Sequence, residues 1–264
     1  MKLWILFILI PAVLLIGCVE SPAPARQPST EGVTLADLRS EVAEKPAPVM
    51  LFMVTTYLVD EAYAEAVQGC YDILPQDAIR FLDKKAFEAN GFFASQGTGM
   101  QAGVVGDCLV RMGARQQGQT TLMLDAGAEV PFSETIIAQE QTIPYTSAGG
   151  GSETVSLQNG TLGWLLTARP DPEFPRRIHA RIQPVFTPQG VLNWPGSEQY
   201  ARKMAYRFDE GRFDVSFREA DFVVLGSKRD SVEAMTTFER LLFLQPGGKP
   251  KMRLYVIICV KAEG

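Results

Sequence analysis

The chain has 264 residues, 46% of them hydrophobic and 21% charged, with a formal net charge of −5. Those proportions belong to a packed globular protein, and the acidic balance leaves no electrostatic footprint for nucleic acid or for an anionic lipid surface. One histidine and four cysteines give no ligand spacing for a metal, so neither metal nor cofactor is expected. At the N-terminus Met1 and Lys2 precede an apolar run from Leu3 to Ile16. At roughly 1.5 Å per residue that run is about 21 Å long as a helix, too short for a hydrocarbon core of about 30 Å. It reads as the apolar region of a signal peptide over residues 1–17.

The run closes as Leu15-Ile16-Gly17-Cys18, which resembles the lipobox of bacterial lipoproteins. The resemblance implies a mature chain beginning at a diacylated Cys18, held to the membrane by its acyl chains. Val19, rather than Asp, follows the cysteine, which in lipoproteins favours the outer membrane, on its periplasmic face. The alternative reading is an ordinary secretory signal with an incidental cysteine. Residues 18–48 carry Pro22, Pro24, Pro28, Pro46 and Pro48 among small and charged residues, and read as an extended tether.

Residues 49–126 are expected to form a small α/β module. "MLFMVTTYLV" from Met50 is a strand by length and β-branched content. A short helix is expected over 60–68, and another over 75–89, where Ile79, Leu82, Ala86 and Ala89 share a face and Asn90-Gly91 ends it. A strand at 92–95, a helix at 100–112 and a strand at 120–124 follow. The glycine-rich "GFFASQGTGMQAG" lacks the Gly-Lys-Ser/Thr ending of a phosphate loop and reads as turn chemistry.

From residue 127 to 264 the period changes to that of a mostly antiparallel sheet, so the fold class is α+β. Asn159-Gly160 stands between two alternating apolar runs and predicts a hairpin in which Leu157 faces Leu162 and Val155 faces Trp164. Further strands are expected at 178–186, at 206–218 with a break at Glu210-Gly211, at 222–225 and at 253–261. The last is apolar on both faces and is expected to be interior. With Cys18 set apart, Cys70, Cys108 and Cys259 remain: Cys259 reads as a buried small hydrophobe, and Cys70 and Cys108 as a possible disulfide, paired only if their Cα atoms come within about 7 Å.

Chemistry has little to stand on. His179 lies in strand register with Arg181 and Gln183, opposite Ile178, Ala180 and Ile182, with no local nucleophile or acid partner. Asp209, Glu210, Asp214, Glu219 and Asp221 read as a solvated strand edge. No catalytic residue is expected, and the protein is read as not an enzyme. Trp194 and Tyr200 in "LNWPGSEQY" are the candidate ligand contacts, by stacking.

From about Val130 the order of segments is similar to the C-terminal domain of bacterial secretins, the outer-membrane rings of type II and type III secretion and type IV pilus systems. "VSLQNGTLGWLLTARP", "HARIQPVFTPQG", "ADFVVLGS", "TTFERLLF" and "KMRLYVIICVKAE" follow one another as the secretin segments do, with Ser227 where secretins carry a second glycine. The resemblance implies a structural or assembly component that associates with itself or with other secretion components. The alternative is an anchored module that binds a periplasmic ligand.

Overall fold

The computed structural model describes residues 49–262 except 76, 175, 190–203, 246 and 248. The signal, the tether, Cys18, Trp194 and Tyr200 lie outside the described residues. In chain order the elements are β1 (Val49–Asp60), a 3-10 turn at Glu61–Tyr63, α1 (Ala64–Gln68), β2 (Ile79–Phe81), α2 (Lys84–Ala89) and β3 (Phe92–Gly97). Next come α3 (Gly99–Arg111), β4 (Arg115–Asp125), β5 (Glu129–Ile137), β6 (Gln141–Thr146), β7 (Ser152–Leu157) and β8 (Gly160–Pro170). The chain continues with β9 (Ile178–Pro188), β10 (Tyr206–Arg207), a 3-10 turn at Asp209–Gly211, β11 (Phe213–Phe217) and β12 (Phe222–Ser227). It ends with α4 (Thr237–Phe243), β13 (Leu244–Gln245) and β14 (Lys251–Ala262).

Two sheets share one core. The first runs β3-β12-β14-β1-β4, with β13 added to β14; the second runs β2-β11-β9-β8-β5, with β10 added to β9. Every pairing is antiparallel. The fold is α+β, mostly antiparallel sheet with a few short helices. β14 is interior, between β12 and β1, because its residues are apolar on both faces: Leu254, Tyr255, Val256 and Ile257 are all buried. The division drawn at 126/127 does not separate two cores. β1, β3 and β4 form one sheet with β12 and β14, and β2 joins β11 in the other, so both stretches of sequence bury against each other.

Aromatic rings fill the space between the layers. Phe92 meets Trp164, Phe238 and Phe243 edge-on, with centroids 5.6, 5.1 and 5.8 Å apart, and Phe52 of the first sheet meets Phe217 of the second at 5.4 Å. Edge-to-face pairs of this kind add about 0.5–1.5 kcal/mol each beyond their burial. α4 carries Phe238, Leu242 and Phe243 into this cluster. Its start is a capping box: the Thr236 hydroxyl accepts from the Glu239 N–H, and Glu239 accepts from the Thr236 N–H at 2.8 Å. Glu239 is fully buried; it also accepts from the Ser227 hydroxyl at 3.0 Å and is ion-paired with Arg229. Gly91, at φ +86°, passes so close that a Cβ there would lie 1.8 Å from the Glu239 carboxyl carbon.

Two expectations are corrected. The segment 75–89 is a helix only over α2, because residues 79–81 pair as β2 with β11, where the burial of Ile79 beside Val215 outweighs its helical spacing. Asn159-Gly160 does not make a hairpin. β7 pairs with β6 in a separate two-stranded ribbon, and Gly160 begins β8 between β5 and β9, so Val155 and Leu157 face Ile143 and Gln141 instead of Trp164 and Leu162. Asn159 does adopt a positive φ of 51°, but Gly160 is needed for close approach: a Cβ there would meet the Phe186 ring at 2.4 Å. The segment "TTFERLLF" is helical, and its Thr-x-x-Glu start was the legible signal.

Candidate functional site

α3 packs Val105 and Leu109 inward, and Cys108 on its flank reaches Cys70 just past α1. The two form a disulfide with Cα atoms 5.7 Å apart. Cys259 is buried in β14, and its thiol is pushed up to about 12 by desolvation, with Asp221 and Glu219 adding to the effect. The glycine-rich stretch is turn and cap chemistry: Gln101 accepts from the Thr98 N–H at 2.9 Å, and Gly97 lies against the Phe222 ring. The five carboxylates do not converge. Asp209 and Glu210 sit in a 3-10 turn, Asp221 accepts from the Arg218 N–H, and Asp214 pairs with Arg181 of β9 and with Arg212 just before its own strand. Among the described residues no three His, Cys, Asp or Glu side chains gather as a metal-binding set.

The outward face of the second sheet holds a polar concavity. Register across the strands sets Thr167, Arg181, Asp214 and Arg80 in one row, from β8 through β9 and β11 to β2. Arg169, His179 and Ser216 form the next row. Alternation puts these side chains outside and Ala168, Ala180, Val215 and Ile79 inside. Together the outward residues line a cleft of about 650 Å3. Asp214 takes Arg181 at 2.9 Å and Arg212 at 3.4 Å, one carboxylate for two guanidinium groups. Arg80 and Arg169 carry no ion pair with a described residue.

His179 is on the polar side of β9 with Arg181, as its register predicts, and its Nε2 lies 2.9 Å from Asp171. Burial works against the Asp171 charge. The N–H groups of Glu173 and Phe174, together with His179, outweigh it and hold the carboxyl below its usual range. Gln183, expected on the same solvated face, is instead buried. Arg80 and Arg169 went unnoticed in the sequence. The local signal was the spacing of Thr167 with Arg169 and of His179 with Arg181, each two apart on one strand.

A second surface lies at the opposite edge of the molecule's first sheet. β3, one edge strand, is buried along its whole length, whereas β4, the other, is exposed from Arg115 to Thr121. Edge strands are commonly blunted by lysine or proline; β4, "RQQGQTTLMLD", has neither, and its one irregularity is the register shift opposite Thr56/Tyr57. Met123 on β4 is 69% exposed, and on α3 Met100 is 90% and Val104 61% exposed. No family model, no curated protein and no solved structure matches the chain.

Proposed function

We propose that the chain is a lipid-anchored, non-enzymatic component of the bacterial cell envelope, on the periplasmic face of the outer membrane, and that it assembles with copies of itself within a protein secretion or pilus system. The observation that carries this reading is the β4 edge, which pairs with β1 on one side and with no described strand on the other, together with the exposed Met123 on it. The strand bears Arg115 at one end and Asp125 at the other. Two copies running antiparallel therefore bring opposite charges together at both ends of a shared sheet.

Three further features support the reading. The Cys70–Cys108 disulfide suits an oxidising compartment. The segments that resemble secretins in order are the sheet-building parts of the second half, among them β8, β9, β12 and β14. The lipobox accounts for attachment at Cys18 without a basic membrane-facing surface.

Light scattering on the full chain in neutral detergent tests assembly. A dimer or larger species is expected at tens of micromolar, and Gln119→Lys/Thr121→Lys, which places like charges on the exposed edge, is expected to yield monomer. A native chain that is monomeric at that concentration refutes the reading. Anchoring is tested by Cys18→Ser with cell fractionation, where release from the membrane fraction is expected and unchanged retention counts against the lipid. A second reading, an anchored binding module, is favoured by one observation, the arginine-lined cleft.

A further inference from the structure

We infer that the cleft on the outward face of the second sheet binds a phosphate group, as a phosphomonoester or a pyrophosphate. The chain is acidic overall, with 30 carboxylate side chains against 25 basic ones, so arginines without a carboxylate partner are not a matter of supply. Three guanidinium groups, from Arg80, Arg169 and Arg181, line the cleft beside one lining carboxylate, Asp214, which is already engaged by Arg181 and by Arg212 next to the cleft, while Asp171 at its margin is engaged by His179. Arg80 and Arg169 are left with their full hydrogen-bonding forks unused among the described residues. Arg212 also keeps a buried Nε with no partner. Such concentration of one charge in a concavity focuses potential outward and draws in an anion.

Register gives the spacing. Arg169 and Arg181 are diagonal neighbours on β8 and β9, about 7–8 Å apart, and Arg80 stands two strands beyond Arg181, at about 4.8 Å per strand. Three long side chains rooted on three different strands approach a central ligand from different sides. A tetrahedral phosphate offers three or more oxygens to forks arriving from separate directions, whereas a carboxylate offers two in one plane. Of the remaining lining, Thr167 and Ser216 add hydroxyl donors, the His179 imidazole is held by Asp171 at 2.9 Å, and no Phe, Tyr or Trp ring is among these residues. A volume of about 650 Å3 lies in the ordinary range for a small-molecule site and exceeds what one free phosphate needs. The phosphate is therefore attached to something larger, either the headgroup of a lipid or a soluble phosphate ester. The inference does not depend on assembly through β4, which lies on the other sheet.

The test is calorimetric titration of the full chain in neutral detergent at low salt, with two probes. Inorganic pyrophosphate represents the soluble source, and dihexanoyl phosphatidate below its micelle concentration represents the lipid source. Saturable one-to-one binding of at least one probe is expected, weakening as salt rises because the arginines are exposed. Arg80→Gln and Arg169→Gln are each expected to weaken it about tenfold, and both together more than either. Arg111→Gln, on α3, is expected to leave it unchanged, and circular dichroism checks that each variant is folded. Binding of pyrophosphate alone identifies a soluble ester; binding of phosphatidate, alone or more tightly, identifies a lipid headgroup. The inference is overturned if neither probe saturates, if the Arg80 and Arg169 variants bind as the native chain does, or if polyglutamate binds while both phosphate probes do not.

Discussion

Replacing Glu239 by glutamine isolates the worth of a buried charge, since the side chain keeps its volume and loses only its ionisation. In the native fold its two oxygens accept from the Thr236 N–H at 2.8 Å and the Ser227 hydroxyl at 3.0 Å, and the same carboxylate is the counter-ion of Arg229. An amide has one acceptor oxygen; with it kept on the Thr236 N–H, the NH2 faces the Ser227 hydroxyl, which accepts from it and donates to the Arg229 carbonyl at 3.1 Å. The charge-assisted bonds to the carboxylate become neutral ones, at a cost of about 1 kcal/mol. Arg229, whose side chain is 30% exposed, also loses its partner, and that exposure trims the about 3–5 kcal/mol typical of a broken buried pair. The expected loss is about 3 kcal/mol. With a urea slope of about 2 kcal/mol per molar, the midpoint falls by about 1.5 M. The assay is urea unfolding followed by fluorescence, with Trp164 fully buried as a reporter. In a cycle with Arg229→Met the two substitutions are expected to be strongly non-additive. A loss below about 1 kcal/mol for Glu239→Gln, or simple additivity, refutes the view that this carboxylate ties β12 to α4.

Reduction of the Cys70–Cys108 disulfide, which spans 38 residues, is expected to cost about 4 kcal/mol by loop entropy and to lower the melting temperature by roughly 8–16 °C in calorimetry with and without reductant. Gly91→Ala is expected to destabilise far more than Gly127→Ala in urea titrations, because both glycines have positive φ but only Gly91 would drive a Cβ into Glu239. Acid sensitivity is expected from Asp83 and Glu153. The Ala86 and Gly149 N–H groups lower the first, and the Tyr145 hydroxyl, followed by Ser147, lowers the second. A carboxylate held lower in the folded chain stabilises above its unfolded pKa, near 4, and that contribution disappears as pH falls through the folded value. Asp83→Asn keeps the helix cap and removes the titration, so urea midpoints measured between pH 5 and pH 3 should fall less steeply for the variant; equal slopes exclude Asp83 as a contributor.

Strands whose burial alternates or is continuous were legible because their pattern is local. β1, β9, β12 and β14 lie where the sequence places them, and the break at Glu210-Gly211 is the 3-10 turn before β11. α3 lies within a residue of the helix expected over 100–112. Pairing was not legible, since it depends on what meets across the core. Asn159-Gly160 has the local chemistry of a hairpin, yet the Phe186 ring and the ladder with β5 claim Gly160, and β7 turns away to β6. Leu82 was assigned to a helix face because its spacing fits, but it is 52% exposed beside β2, whose partner β11 is far along the chain, Phe81 pairing with Phe213. The cleft was half legible. His179 and Arg181 were set on a polar face from their own strand, and the Thr167-x-Arg169 spacing marks such a face on β8, while Arg80 joins it only through lateral register between β2 and β11.

The placement of β1 has a mechanical consequence. The strand receives the chain at Val49 and is hydrogen-bonded along one side to β14 and along the other to β4 for nearly all of its length. Tension applied at Val49 runs parallel to both ladders and loads their bonds in shear. They must give way together instead of peeling one after another, so the body resists being drawn out from that end.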